Sequence, residues 1–90
     1  CNGPSYTAGD TVAVGSMPGC EGGVVGLFDM SGNVWEWTAE TTDDSWGLVG
    51  HVRGGAWYGW DENMACDGAT AQFEAAEGFF DTGFRCCLAR

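Results

Sequence analysis

Basic residues are scarce in this chain. Its 90 residues include 3 Lys and Arg against 13 Asp and Glu, which gives a formal net charge of −10. A surface this acidic repels nucleic acid and anionic membranes, which argues against both as partners. It suits hard cations or partners with basic patches, although the same acidity can serve only to keep a small secreted domain soluble.

The chain also lacks the pattern of a thiolate metal site. It has no Cys-x-x-Cys pair and a single histidine, which is too few for zinc. A disulfide framework in an exported protein fits the five cysteines better, and the odd number leaves one thiol free or bridged to another molecule. The five are Cys1, Cys20, Cys66, Cys86 and Cys87.

No signal peptide and no apolar run of membrane-spanning length is visible in the sequence. Because the chain starts at Cys1 without a methionine, we expect a trimmed product. The disulfide framework predicts that it acts outside the cell or at its surface.

The composition that remains is that of a packed, loop-rich domain. Apolar residues make up 44% and aromatic residues 13% of the chain, which argues against disorder. The 16 glycines follow no period and indicate many turns. We expect one α+β domain over residues 1–90, with little helix. The predicted segments are strands at 11–17, 34–38, 51–58 and 82–89, an acidic loop at 39–49 and a helix-like stretch at 69–77. These strands are too far apart in sequence for simple hairpins.

Three sequence blocks carry a resemblance to a known family. "GLFDMSGNVWEWT" (26–38), "VRGGAW" (52–57) and "TGFRCC" (82–87) occur in an order that resembles the C-terminal part of the formylglycine-generating enzyme (sulfatase-modifying factor) family. The resemblance implies a small antiparallel sheet in a variant of the C-type lectin fold. It covers nearly the whole chain, but only about the last third of a usual family domain. The family includes copper-dependent oxidases that convert a substrate cysteine to formylglycine.

The residues that would make this chain an oxidase are missing. The resemblance places the two reactive cysteines of the oxidases at Gly59 and Met64. Cys66 matches the family's next, structural cysteine, and a single thiol cannot form the paired thiolate site that holds copper(I). His51 stands alone, with no nucleophile at motif spacing. We therefore expect that the chain is not an enzyme.

The turn before the Trp-Glu-Trp sequence is predicted to bind calcium. Calcium combines carboxylate and backbone carbonyl oxygens, about six to eight in all. The turn and the strand parity allow the carboxylates of Asp29 and Glu36 to converge with the carbonyls of Gly32 and Val34, and the resemblance implies the same four ligands. An unpaired carboxylate between two indoles would otherwise be costly. The alternative is a plain turn in which backbone amides hold Glu36.

A second calcium site is implied by the resemblance alone. Its side-chain ligands would be Asn2 and Asp10, with carbonyl oxygens from Gly3 and from Thr11 or Val12.

Disulfides are expected to support a small core. Cys1 and Cys20 bracket the first loop and are predicted to pair, and Cys66 is predicted to pair with Cys86 or Cys87. Each bridge typically contributes about 2–4 kcal/mol. The expected core residues are Leu27, Phe28, Trp35, Trp37, Trp57 and Phe84.

These features predict a non-catalytic extracellular module, structural or adhesive, that calcium and disulfides stabilise. The leftover thiol at Cys86 or Cys87 favours self-association, including a homopolymer or filament. Aromatic residues expected in loops favour the same outcome, and these are Trp46, Trp60, Phe79 and Phe80. The alternatives are a degenerate or partial oxidase of the formylglycine-generating type and a lectin-like ligand-binding domain.

Overall fold

Four short strands form the only sheet in the part of the chain that the structure describes. The structure is a computed structural model, and it describes residues 1–6, 8–44, 47–68 and 70–88. The strands are β1 (Trp35–Asp44), β2 (Gly47–Arg53), β3 (Ala71–Glu74) and β4 (Thr82–Gly83). Two short 3-10 helices, Pro18–Cys20 and Asp61–Met64, are the helical segments within those ranges. The loop-rich fold with little helix is therefore confirmed.

The sheet is mixed, with the strand order β3-β2-β1-β4. β2 is antiparallel to both β1 and β3. β4 is parallel to β1, with Trp35 beside Thr82 and Glu36 beside Gly83. The expectation of a small antiparallel sheet holds for three strands and fails at this edge. The lectin-type variant of the fold stays a prediction.

A hairpin of β1 and β2 replaces the predicted acidic loop at 39–49. The register runs from Glu36 opposite Arg53 to Asp44 opposite Gly47, with a shift between Trp37 and Thr41. The prediction that the strands lie too far apart for hairpins is therefore wrong. Sequence reasoning gave the acidic side chains too much weight, because exposed positions of a strand tolerate them. Trp46, predicted as a loop contact, lies outside the described residues.

The helix-like stretch at 69–77 contains strand β3 instead. Ala71 and Phe73 are half-buried, whereas Gln72 and Glu74 are exposed. This alternation has the period of a strand, and pairing with β2 outweighs the helix preference of the alanines and glutamates.

Three other predicted strands are absent or shorter in the described residues, and the one predicted at 51–58 ends at Arg53. Residues 11–17 form a loop, because both backbone groups of Val12 bind the side-chain amide of Asn33 (2.9 and 3.1 Å) instead of a neighbouring strand. The strand predicted at 82–89 is paired only at Thr82 and Gly83. Phe84, expected in the core, is 77% exposed just beyond this short ladder.

The core lies on one face of the β1–β2 pair. Trp35, Val52 and Ala56 are buried there. Trp37, Ala71 and Phe73 pack against them. Gly50 makes room for the Trp37 ring, since a Cβ at this position would lie 2.5 Å from Cζ3 of the indole. Leu27, Phe28 and Trp57 are half-buried outside this cluster.

One of the two predicted disulfides forms. Cys1 and Cys20 are bridged, with their Cα atoms 4.8 Å apart, as predicted. Cys66 is unpaired and exposed, and so are Cys86 and Cys87, so the second predicted bridge is wrong. The sheet order explains this separation. Cys66 lines a cleft at the end of β2, whereas the other two follow β4, whose strand neighbour is β1.

Candidate functional site

The four residues predicted to hold calcium line one cavity of about 160 Å³. We call this cavity the acidic cleft. It lies between the turn that precedes β1 and the segment that follows β4. Its lining residues are Val14, Asp29, Gly32, Asn33, Val34, Glu36, Phe84 and Arg85. The structure thus brings Asp29, Gly32, Val34 and Glu36 together.

Asp29 is the buried carboxylate of this cleft. It is 4% exposed and adopts a φ of 58°, a left-handed conformation that Asp tolerates better than most residues. Its Oδ2 accepts a hydrogen bond from the Gly15 N–H at 2.9 Å. Its Oδ1 is buried and has no hydrogen-bond partner. A buried carboxylate oxygen without a partner is costly, and it is the type of atom that a hard cation binds.

Glu36 faces away from the tryptophans on either side of it. Trp35 and Trp37 belong to the core, and strand alternation turns Glu36 to the opposite face, into the acidic cleft. There the Arg85 Nε–H donates to Glu36 Oε2 at 2.6 Å, and Arg85 Nη2 donates to Glu36 Oε1. The Glu36 carboxylate therefore does not lie between the two indole rings, and Arg85 binds it instead of backbone amides.

Arg85 also binds the turn, and sequence reasoning missed this residue. Its Nη2 donates to the Asp29 carbonyl at 3.0 Å, so one guanidinium joins both carboxylate-bearing residues. The hydrogen bond with Glu36 raises the pKa of Arg85, and partial burial acts in the opposite direction. In the sequence, Arg85 is visible only as the last residue of "GFR". Its approach to Glu36 depends on the pairing of Glu36 with Gly83, which the sequence does not reveal.

The second predicted site is brought together in part. Asn2 is 1% exposed, and its Nδ2 donates to the Asp10 carbonyl at 2.9 Å and to Asn33 Oδ1 at 3.2 Å. The Oδ1 of Asn2 is buried without a partner. The Asp10 carboxylate, by contrast, is exposed and accepts from the Thr11 N–H at 2.7 Å. The Asp10 carbonyl thus contacts Asn2, whereas the Asp10 carboxylate, the predicted ligand, is turned toward its own loop.

Asn33 connects the two sites and was also missed. Its amide side chain binds Asn2 and Val12, and its own N–H donates to the Asn2 carbonyl at 2.7 Å. It is buried with a φ of 66°. The segment from Gly32 to Val34 includes two of the predicted carbonyl ligands. Its middle residue, Asn33, is therefore held in place by hydrogen bonds to the N-terminal loop.

The positions of the oxidase cysteines contain no thiolate. Gly59 is exposed and has a φ of 116°. The side chain of Met64 fills space above three glycines, since a Cβ at Gly3, Gly32 or Gly55 would lie 2.1, 2.8 or 2.9 Å from its atoms. A methionine that packs against glycines thus occupies one position and a glycine the other, so the paired thiolates that hold copper(I) in the oxidases are absent at these positions.

The described ranges contain no group of three or more His, Cys, Asp or Glu side chains that could hold a metal. A calcium site here would have to use backbone carbonyls and an asparagine, as the prediction requires. Among the described helices, none is long and apolar enough to cross a membrane.

The fold and site define a small, loop-rich, disulfide-linked domain with a mixed sheet and an acidic cleft. The profile of the sulfatase-modifying factor enzyme 1-like domain (FGE-sulfatase) matches residues 5–90. The chain therefore belongs to this family, as the three sequence blocks predicted. No curated protein and no solved structure matches it.

Proposed function

We propose that this chain is a non-catalytic extracellular module of its family, with a structural or adhesive role, stabilised by calcium and by its disulfide. The observation that carries the calcium part concerns buried polar atoms. Three buried side-chain atoms in the described residues lack a partner, and two of them are Asn2 Oδ1 and Asp29 Oδ1. Each belongs to a different predicted calcium site, and each is an oxygen of the kind that calcium prefers.

The acidic cleft would hold the first ion through Asp29 and Glu36, with the carbonyls of Gly32 and Val34. Calcium bound there would neutralise the buried Asp29 carboxylate and tie the turn to β1. Asn2 and the loop around Asp10 would hold the second ion. The role of both ions would be structural, because each would pair a buried oxygen that has no other partner.

The absence of oxidase activity is proposed from the residues at the reactive positions. The Met64 side chain packs against three glycines, and Gly59 has no side chain. The family match is the one observation that favours the partial-oxidase alternative. Incubation of the chain with copper(I), oxygen and a cysteine peptide should give no formylglycine by mass spectrometry, and its formation would overturn this part of the proposal.

Self-association is proposed from the segment after β4. Phe84 and Leu88 are 77% and 89% exposed, and the free thiols of Cys86 and Cys87 lie between them. Exposed apolar side chains favour contact with another protein surface. A bridge through either thiol would link two copies in an oxidising extracellular environment.

One experiment tests calcium and assembly together. Sedimentation velocity and thermal unfolding are measured in calcium and in chelator, each with and without reductant. We expect a higher melting temperature in calcium and larger species without reductant. At free calcium 100-fold above the dissociation constant, binding adds about 2.7 kcal/mol to the free energy of unfolding. A monomer without reductant whose melting temperature is the same in calcium and in chelator would refute both claims.

A further inference from the structure

A second cavity, of about 450 Å³, lies between the N-terminal loop and the loop that follows β2. It is separate from the acidic cleft, because the two share no lining residue. We call it the aromatic cleft. Its lining residues are Pro4, Tyr6, Gly9, Trp57, Tyr58, Gly59 and Trp60.

The rings of this cleft are unusually open to solvent. Tyr6, Tyr58 and Trp60 are 47%, 63% and 74% exposed. Gly59, between Tyr58 and Trp60, has a left-handed φ of 116° and turns the chain there. A grouped set of exposed aromatic rings is costly in water and marks a contact site more often than chance.

Trp57 forms the fixed wall of the cleft. Its ring packs against Tyr58 and Phe80, with centroids 5.7 and 6.0 Å apart. Its indole Nε1–H is buried and has no acceptor, and it is the third unpartnered atom in the described residues. Pairing the donor would recover the free energy lost by leaving it unmatched.

Charge restricts the ligand class. No described residue that lines the cleft is charged at neutral pH, and the whole chain carries a net charge of −10. An anion would find no counter-charge here. Among the described residues, no carboxylate lines the cleft to pair with a cation, and the unmatched Trp57 N–H calls for an acceptor, which a cation does not supply. What remains is a neutral ligand that offers an apolar face and hydrogen-bond acceptors.

A sugar ring has both properties. One face of a pyranose presents C–H groups that can stack on an indole or phenol ring, and its hydroxyls both donate and accept. Tyr6 and Tyr58 add hydroxyl partners at the rim of the cleft. We propose that the aromatic cleft binds a neutral saccharide by ring stacking, without a metal ion. This goes beyond the structural role proposed above and does not depend on it.

The test uses defined trisaccharides as probes: cellotriose, maltotriose and tri-N-acetylchitotriose. Binding is followed by saturation-transfer NMR and by tryptophan fluorescence, in calcium and in chelator. We expect at least one probe to bind with a dissociation constant on the order of 1 mM, equal in both conditions. Binding that requires calcium, or no binding of any probe at about ten times that concentration, would overturn the proposal.

Matched variants locate the site. Trp60→Ala should weaken binding at least about tenfold, the effect of losing about 1.4 kcal/mol of stacking. Val25→Ala truncates an exposed apolar side chain outside the cleft and should leave binding unchanged. Equal effects of the two variants would refute the location. Tighter binding of tetramethylammonium or of a proline-rich peptide than of every saccharide would refute the ligand class.

Discussion

Arg85, two residues after β4, and Glu36, on the parallel strand β1, form a bidentate ion pair. The Nε–Oε2 distance is 2.6 Å, and Nη2 reaches both Glu36 Oε1 and the Asp29 carbonyl. The side chains are 32% and 19% exposed. Since β4 has only two residues, this pair is the main polar connection between the third sequence block and the first.

Replacing Arg85 by Gln should have opposite effects in chelator and in calcium. Without metal, Glu36 loses its partner, and the free energy of unfolding should fall by about 1–2 kcal/mol, the partial exposure keeping the loss small. With metal, removal of the positive charge should tighten calcium binding at the same carboxylate. Chemical unfolding in chelator and a calcium titration followed by melting temperature measure the two effects.

The matched control is Arg53→Gln. Arg53 pairs with Glu40 at 3.6 Å, with both side chains about half exposed, so its loss should change stability by no more than about 0.5 kcal/mol. Equal losses for the two arginines would contradict a special role for Arg85.

Gly32→Ala should be strongly destabilising. Gly32 has a φ of 79°, and a Cβ there would lie 2.5 Å from the Asn2 carbonyl oxygen, which is fixed backbone. We expect a loss of about 2–4 kcal/mol in urea unfolding. Gly26→Ala is the control, because Gly26 has a φ of 82° with no neighbouring atom within 4 Å. It should lose only the conformational strain of about 1–2 kcal/mol, and a larger loss at Gly26 than at Gly32 would count against the packing shown at Asn2.

The proximity of Asp29, Gly32, Val34 and Glu36 in one cleft could be predicted because they lie within one turn and strand, where spacing fixes their relative positions, whereas their role as calcium ligands stays a prediction. Cys1–Cys20 could be predicted for a similar reason, since the two cysteines bracket one loop. Arg85, Asn33 and the parallel β4 could not, because their contacts depend on strand register and on segments far away in sequence. The second disulfide was misplaced for the same reason. Its predicted geometry assumed a long last strand with Phe84 in the core, and that strand ends at Gly83.

Alkylation of the unreduced monomer should modify three cysteines. Cys66, Cys86 and Cys87 are free and exposed, whereas Cys1 and Cys20 are bridged. Intact mass after iodoacetamide should therefore rise by three carbamidomethyl groups, and by five after full reduction. Peptide mapping identifies the sites. Modification of a single cysteine in the unreduced monomer would instead indicate a second bridge, and it would restore the predicted pairing of Cys66.

Asp29→Asn separates a calcium ligand from a structural carboxylate. The asparagine keeps the shape of the side chain and an acceptor for the Gly15 N–H, but it removes a buried charge whose Oδ1 has no partner. In chelator we expect the variant to be as stable as the wild type or more stable, because the unpaired carboxylate is gone. In calcium we expect the variant to be less stable, because a charged ligand has been lost. Glu74→Gln removes the same charge from an exposed position on β3 and should respond to calcium like the wild type. If Asp29→Asn lowers the melting temperature equally in calcium and in chelator, Asp29 stabilises only the turn and the proposed ion is not bound there.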